Sequence, residues 1–126
     1  MDYLIMYGVP KDLPLQRFVG DSISQIAFGQ EGIHFNFEKA GSICVDFGKW
    51  QIHDDSGQVV DESIEGLWST RQHYRVHVIL GSAVTEFKID VPRAFTLTFS
   101  NGHKLTIYDD SEHYESFSIE PDGIYI

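Results

Sequence analysis

Apolar residues in this chain recur at alternate positions in short runs, and the runs come twice. The spacing Gly20-x-x-Ile23-x-x-Ile26-x-Phe28, then Ile33-x-Phe35-x-Phe37 and Ile43-x-Val45, returns as Gly81-x-x-Val84-x-x-Phe87-x-Ile89, Phe95-x-Leu97-x-Phe99 and Leu105-x-Ile107. Alternation of period two is the mark of a strand that buries one face. It is clearest in Phe95-Thr-Leu-Thr-Phe99, where three apolar side chains share one side and two threonines the other. Asn101-Gly102 follows and tolerates the positive φ angles that a tight hairpin needs at its two central positions; Lys104 to Tyr108 is the returning strand. In the first half Ile33 to Phe37, a Lys39-Ala-Gly41 connection and Ile43 to Phe47 keep the same distance from Phe37 to Ile43 as from Phe99 to Leu105, so the two hairpins are expected to be equivalent.

The match continues past the hairpins. Trp50-Gln-Ile52 corresponds to Phe117-Ser-Ile119, and the turn Asp55-Ser-Gly57 before Val59 corresponds to Asp122-Gly123 before Tyr125. Each half therefore reads as a meander of four or five strands, with repeats spanning about 15–65 and 76–126. The second copy carries extra residues around Asp109-Asp-Ser-Glu-His113, where the halves differ most. A short helix is predicted ahead of each repeat. Ser69-x-x-Gln72 resembles a capping box with Gly81 as the left-handed residue after the last turn, and Tyr74 to Val78, which alternates like a strand, is the competing reading. Asp12-Leu-Pro14 ahead of Leu15 to Val19 and Gly20 is a shorter equivalent. Tyr3 to Tyr7 reads as an edge strand, and Asp54 to Glu65 as turn, strand and linker. The expected fold is mainly β: two pseudo-symmetric antiparallel meanders packed as a sandwich or half-barrel around one core, with one or two short helices.

Size and composition agree with one domain. A chain of 126 residues with 42% hydrophobic content and 13% aromatic residues has the apolar mass to bury a core without a staple. The single cysteine, Cys44, excludes an internal disulfide; no signal-peptide pattern or membrane-length apolar run occurs, so a cytoplasmic location is expected. The net charge of −10 repels phosphate backbones and anionic membranes and accelerates encounter with basic partners. Nucleic acid and membrane are therefore disfavoured as partners.

Candidate chemistry is sparse. The densest polar stretch, Tyr108 to Glu115, offers Asp109, Asp110, Glu112, His113 and Glu115, but not the alternating acids, glycine and terminal glutamate of a calcium loop. It reads better as a partner-facing loop. His73 and His77, four apart, have the spacing of a zinc pair, yet no third ligand can be nominated and no carboxylate sits as in His-Glu-x-x-His. With Arg71 and Arg75 they form a locally basic stretch suited to an ion pair with the acidic linker. Cys44 lies between Ile43 and Val45 and should point away from the buried face, without a recognisable activating base. Gly29-x-x-Gly32 is a turn between strands, and no nucleophile-elbow, phosphate-loop or dinucleotide motif occurs. No cofactor is indicated, and an enzyme is the minority reading.

The run Leu97-Thr-Phe-Ser-Asn-Gly-His-Lys-Leu-Thr-Ile-Tyr-Asp-Asp-Ser-Glu-His-Tyr-Glu-Ser-Phe-Ser-Ile119, with Phe28-Gly-Gln earlier, resembles a family of small uncharacterised bacterial proteins. That resemblance implies a bacterial origin and a free-standing domain, and brings no established activity, cofactor or catalytic residue. Together with the charge, the sequence points to a non-enzymatic protein-binding domain for a basic partner, of which an immunity-type inhibitor is the most concrete version; a small-molecule or metal-binding domain, catalytic or not, is the alternative.

Overall fold

The computed structural model describes residues 8–29, 32–46, 48–63, 74–109, 117–120 and 124–125. Among the described residues ten strands follow one another: β1 (Ile23–Phe28), β2 (Gly32–Phe37), β3 (Ser42–Asp46), β4 (Lys49–His53), β5 (Val59–Glu62), β6 (Val84–Asp90), β7 (Ala94–Phe99), β8 (Lys104–Tyr108), β9 (Ser118–Glu120) and β10 (Ile124–Tyr125). All pair antiparallel in two five-stranded sheets, ordered β1-β2-β3-β9-β10 and β5-β4-β8-β7-β6. The mainly β fold with two packed sheets and minor helical turns is the one that the alternation predicts.

Strand membership departs from two self-contained meanders. Only the first three strands of each half stay together. β4, with β5 paired outside it, leaves the first half to pair with β8, while β9, with β10 paired outside it, leaves the second half to pair with β3. Each half thus completes the sheet of the other. The exchange is symmetric down to register, with Ile43 opposite Ile119 in one sheet and Leu105 opposite Ile52 in the other. Alternation specifies which face a residue buries and leaves the neighbouring strand open, which is why the crossing is not visible in the repeat.

The pseudo-two-fold relation also holds the sheets together at their starts. Gly20 and Gly81, with φ of 89° and 80°, each follow a 3₁₀ turn, Gln16–Phe18 and Val76–Ile79 respectively. Their positive φ lets each chain turn back against the opposite strand. The Gly20 N–H donates to the Val84 carbonyl at 2.8 Å, and the Gly81 N–H donates to the Ile23 carbonyl at 2.9 Å. A bulge then follows in both copies, at Ile23/Gln25 and Val84/Glu86. Gly81 is thus the left-handed residue expected, but the described part of the predicted helix is only one 3₁₀ turn, and Tyr74 and Arg75 lie outside any strand. β-Branched Val76, Val78 and Ile79 gain little from helix, and one tight turn suffices to bury Val76 and Ile79. Ser69, Gln72 and the proposed edge strand at Tyr3 to Tyr7 fall outside the described residues.

Both hairpins have three-residue loops. Phe99 donates to the His103 carbonyl at 2.9 Å and Gly102 to the Phe99 carbonyl at 2.9 Å, with Gly102 at φ 92°. One left-handed glycine closing a three-residue loop replaces the expected two-residue turn. In the first copy Phe37 donates to the Gly41 carbonyl at 2.9 Å, and the carboxylate of Asp21 holds the loop by accepting the Lys39 and Ala40 N–H groups at 2.9 and 2.7 Å.

The inner faces meet in one cluster. Phe35 of β2 meets Trp50 of β4 edge-on at 6.2 Å between ring centroids, and Phe95 of β7 meets Phe117, just ahead of β9, at 5.1 Å. Both pairs join the two sheets. The residues at the crossing, Trp50, Ile52, Phe117 and Ile119, are all buried.

Candidate functional site

Asp109, the first residue of the acidic stretch, is engaged in the fold. Its N–H donates to the Arg93 carbonyl at 2.7 Å, and its carboxylate accepts the Gly8 N–H. Val9 donates to the Pro92 carbonyl at 2.8 Å beside it, so Asp109 fastens the segment at Gly8 and Val9 to the turn between β6 and β7. Asp110, Glu112, His113 and Glu115 lie outside the described residues. His77 is exposed on the second 3₁₀ turn, and His73 lies outside the described residues. Among the described residues no three His, Cys, Asp or Glu side chains come together as a metal site. No helix among them is long and apolar enough to cross a membrane.

Cys44 occupies the outer face of its sheet, as the alternation predicts, but is shielded there. Across one side is His34 of β2 and across the other Ser118 of β9. His34 Nε2 lies 3.5 Å from Asp46 Oδ1, with the His34 side chain half-buried and that of Asp46 more exposed. Burial pushes the Cys44 thiol above its ordinary value; the hydrogen bond with Ser118 pulls the other way, and the charges of Asp46 and Glu120 raise it further. A thiolate is therefore disfavoured, which is the opposite of what a nucleophile needs. His34 is a neighbour that the linear reading missed. The signal was available, since His34 and Cys44 are equidistant from Lys39 at the centre of the hairpin loop.

Asp61 is the other residue whose role emerges only from the fold. It is 5% exposed, and its carboxylate accepts the Glu62 N–H at 2.8 Å and the Arg75 N–H at 2.6 Å. The acidic linker and the basic stretch do meet, here through a backbone N–H. Asp61 is the only acidic side chain among the described residues that is buried.

The outer faces break the pseudosymmetry. The strands of the β1-β2-β3-β9-β10 sheet contain no Lys or Arg, and their carboxylates are Asp46 and Glu120. The other sheet carries Lys49, Lys88 and Lys104 with Asp61, Glu62, Glu86 and Asp90. On that face the Tyr108 hydroxyl donates to Gln51 Oε1 at 2.7 Å, Gln51 donates to Glu62 at 2.9 Å, and Lys49 Nζ stands 4.9 Å from the centre of the Tyr108 ring. Burial and the Glu62 charge push the Tyr108 phenol above its ordinary value, so it remains a neutral donor. These contacts join β4 and β5 of the first half to β8 of the second.

No family model matches the chain, and no curated protein or solved structure matches it.

Proposed function

We propose that this protein is a non-enzymatic binding module that docks a basic protein partner, acting in its most concrete form as an immunity-type inhibitor. The observation that supports this reading is the placement of its charge. The chain holds 19 acidic against 9 basic residues, and only Asp61 of the described acids is withdrawn into the interior. The rest of the described carboxylates contribute to a field at the surface that steers cations inward and repels polyanions.

The acidic stretch remains the proposed focus of docking, with its roles divided. Asp109 anchors, while Asp110, Glu112, His113 and Glu115 contact the partner. Copurification from the native host supplies the partner, and association rate against ionic strength supplies the test. The variant D110N/E112Q/E115Q should associate more slowly and with a flatter salt dependence at unchanged thermal stability. Coincident curves for parent and variant would remove the acidic stretch from the interface. The metal form of the alternative predicts instead that a chelator lowers the melting temperature of the parent.

A further inference from the structure

One side chain joins the loop between β7 and β8 to the second 3₁₀ turn. Asn101 Nδ2 donates to the Val78 carbonyl at 2.7 Å, while Asn101 Oδ1 accepts the His103 N–H at 3.1 Å. The bond to His103 is the local one that asparagine makes two residues ahead in a turn, whereas the bond to Val78 reaches back to the turn Val76–Ile79. Ser82 steadies the loop, since its hydroxyl accepts the Asn101 N–H at 3.2 Å and shares a hydrogen bond of 2.9 Å with the Ser100 hydroxyl. The first copy holds its loop without an asparagine. There Asp21, which follows Gly20 as Ser82 follows Gly81, accepts the Lys39 and Ala40 N–H groups.

That amide is also chemically labile. Asparagine ahead of glycine is open to attack by the next backbone nitrogen, because a residue without Cβ does not hinder the approach. The Gly102 nitrogen gives its proton to solvent base and bonds to Asn101 Cγ; the Cγ–Nδ2 bond breaks, and Nδ2 leaves as ammonia with the proton returned to it. Water then opens the five-membered imide at either carbonyl, giving aspartate or isoaspartate, and nothing is oxidised or reduced. Asn101 is exposed, so water and base reach it. What opposes the reaction is hydrogen bonding: the Gly102 N–H donates to the Phe99 carbonyl at 2.9 Å, and Nδ2 is held by Val78. The chain's other asparagine, Asn36, lies inside β2 ahead of Phe37, a residue with a Cβ, and its amide bonds Gln25 and Ser42.

We propose that Asn101 is a site of spontaneous deamidation, and that the reaction unlatches the turn Val76–Ile79 from the loop between β7 and β8. The aspartate product keeps an oxygen for the His103 N–H. It sets a carboxylate oxygen where the amide N–H faced the Val78 carbonyl, so a donor–acceptor pair becomes two acceptors in contact. The turn buries Val76 and Ile79 and leads into Gly81, whose N–H donates to the Ile23 carbonyl, so the segment released is the one that ties the second half to β1. The amide is not restored once ammonia has left, and the change runs one way.

The test incubates the full chain at mildly alkaline pH, folded and in urea, and follows aspartate and isoaspartate at both asparagines by peptide mapping. Asn101 should convert and Asn36 should not while the chain is folded, and Asn101 should convert about tenfold more slowly folded than in urea, because the latch must open first. Ser82→Ala, which removes the hydroxyl that steadies the loop, should quicken conversion of the folded chain about fivefold and leave the rate in urea unchanged. Asn101→Asp, which copies one product, should melt about 4 °C below the parent and exchange its Gly81 amide hydrogen faster. Folded chain still intact at Asn101 after weeks, or converting first at Asn36, overturns the site. Equal rates folded and in urea, or a parental rate in folded Ser82→Ala, overturn the latch. Parental melting together with parental Gly81 exchange in Asn101→Asp overturns the release of the turn.

Discussion

Replacing Ser118 by cysteine tests the exchange of strands between halves directly. Cys44 is the only cysteine in the chain, so Ser118→Cys creates one possible internal disulfide. Residues 44 and 118 are directly opposite partners of β3 and β9 on the outer face, already joined by a hydrogen bond between thiol and hydroxyl. Opposed residues in an antiparallel pair stand about 4.5–5.5 Å apart at Cα, inside the range that a disulfide spans. The bridge would close a loop of about 75 residues, for which loss of unfolded-state entropy gives about 4.5 kcal/mol as an upper figure, with about 2–4 kcal/mol usual. At roughly 4 °C per kcal/mol for a chain of this size, the oxidised variant should melt about 8–15 °C above its reduced form. The assay is thiol titration and intact mass after mild oxidation, followed by melting with and without reductant. Were β9 to stay with the strands of its own half, Ser118 would lie in the opposite sheet from Cys44. Two free thiols after oxidation, or intermolecular dimers alone, would refute the crossed topology.

The pseudosymmetry makes a matched prediction: Gly20→Ala and Gly81→Ala both meet open space but force alanine to a positive φ, so each should cost about 1–2 kcal/mol, and clearly unequal urea midpoints would deny the equivalence. Leu97→Asp places an unpaired carboxylate at a position of 0% exposure and should abolish cooperative folding by circular dichroism; a melt near the parental temperature would overturn the register of β7. Asp54 is lowered below the ordinary carboxylate value by hydrogen bonds from Ser56, then Gln58, and by the charge of His103, which outweigh the opposing effect of burial. Its stabilising effect is therefore present above about pH 4 and lost as pH falls through the lowered folded value, and Asp54→Asn should flatten that part of the urea-midpoint profile, a parental profile counting against the turn geometry. Asp109→Asn should lower stability because the charge-assisted bond to the Gly8 N–H weakens, by about 1 kcal/mol; an unchanged melt would show that anchoring is not its role.

What the sequence determined by itself is local. Alternation at Phe95 to Phe99 and Ile33 to Phe37 decided which side chains face inward, because in a strand the side-chain period is two whatever strand lies alongside. The glycines at 20 and 81 marked backbone turns that other residues resist, and the repeat spacing predicted paired hairpins that the structure contains. Partner choice belongs to the tertiary structure. Trp50 and Phe117 read as the next strands of their own meanders, yet they cross, because the inner faces of two three-stranded meanders each need two more strands and the hairpin of the other half supplies them. The same holds for chemistry. His34 beside Cys44 and Asp61 beneath Arg75 are contacts between positions far apart in the chain, set by register and crossing rather than by any motif. Asp109, read as the start of a docking loop, is held by Gly8 across nearly the whole chain; only the folded backbone brings that N–H to the carboxylate, and a linear pattern carries no record of which distant donor an acid will meet.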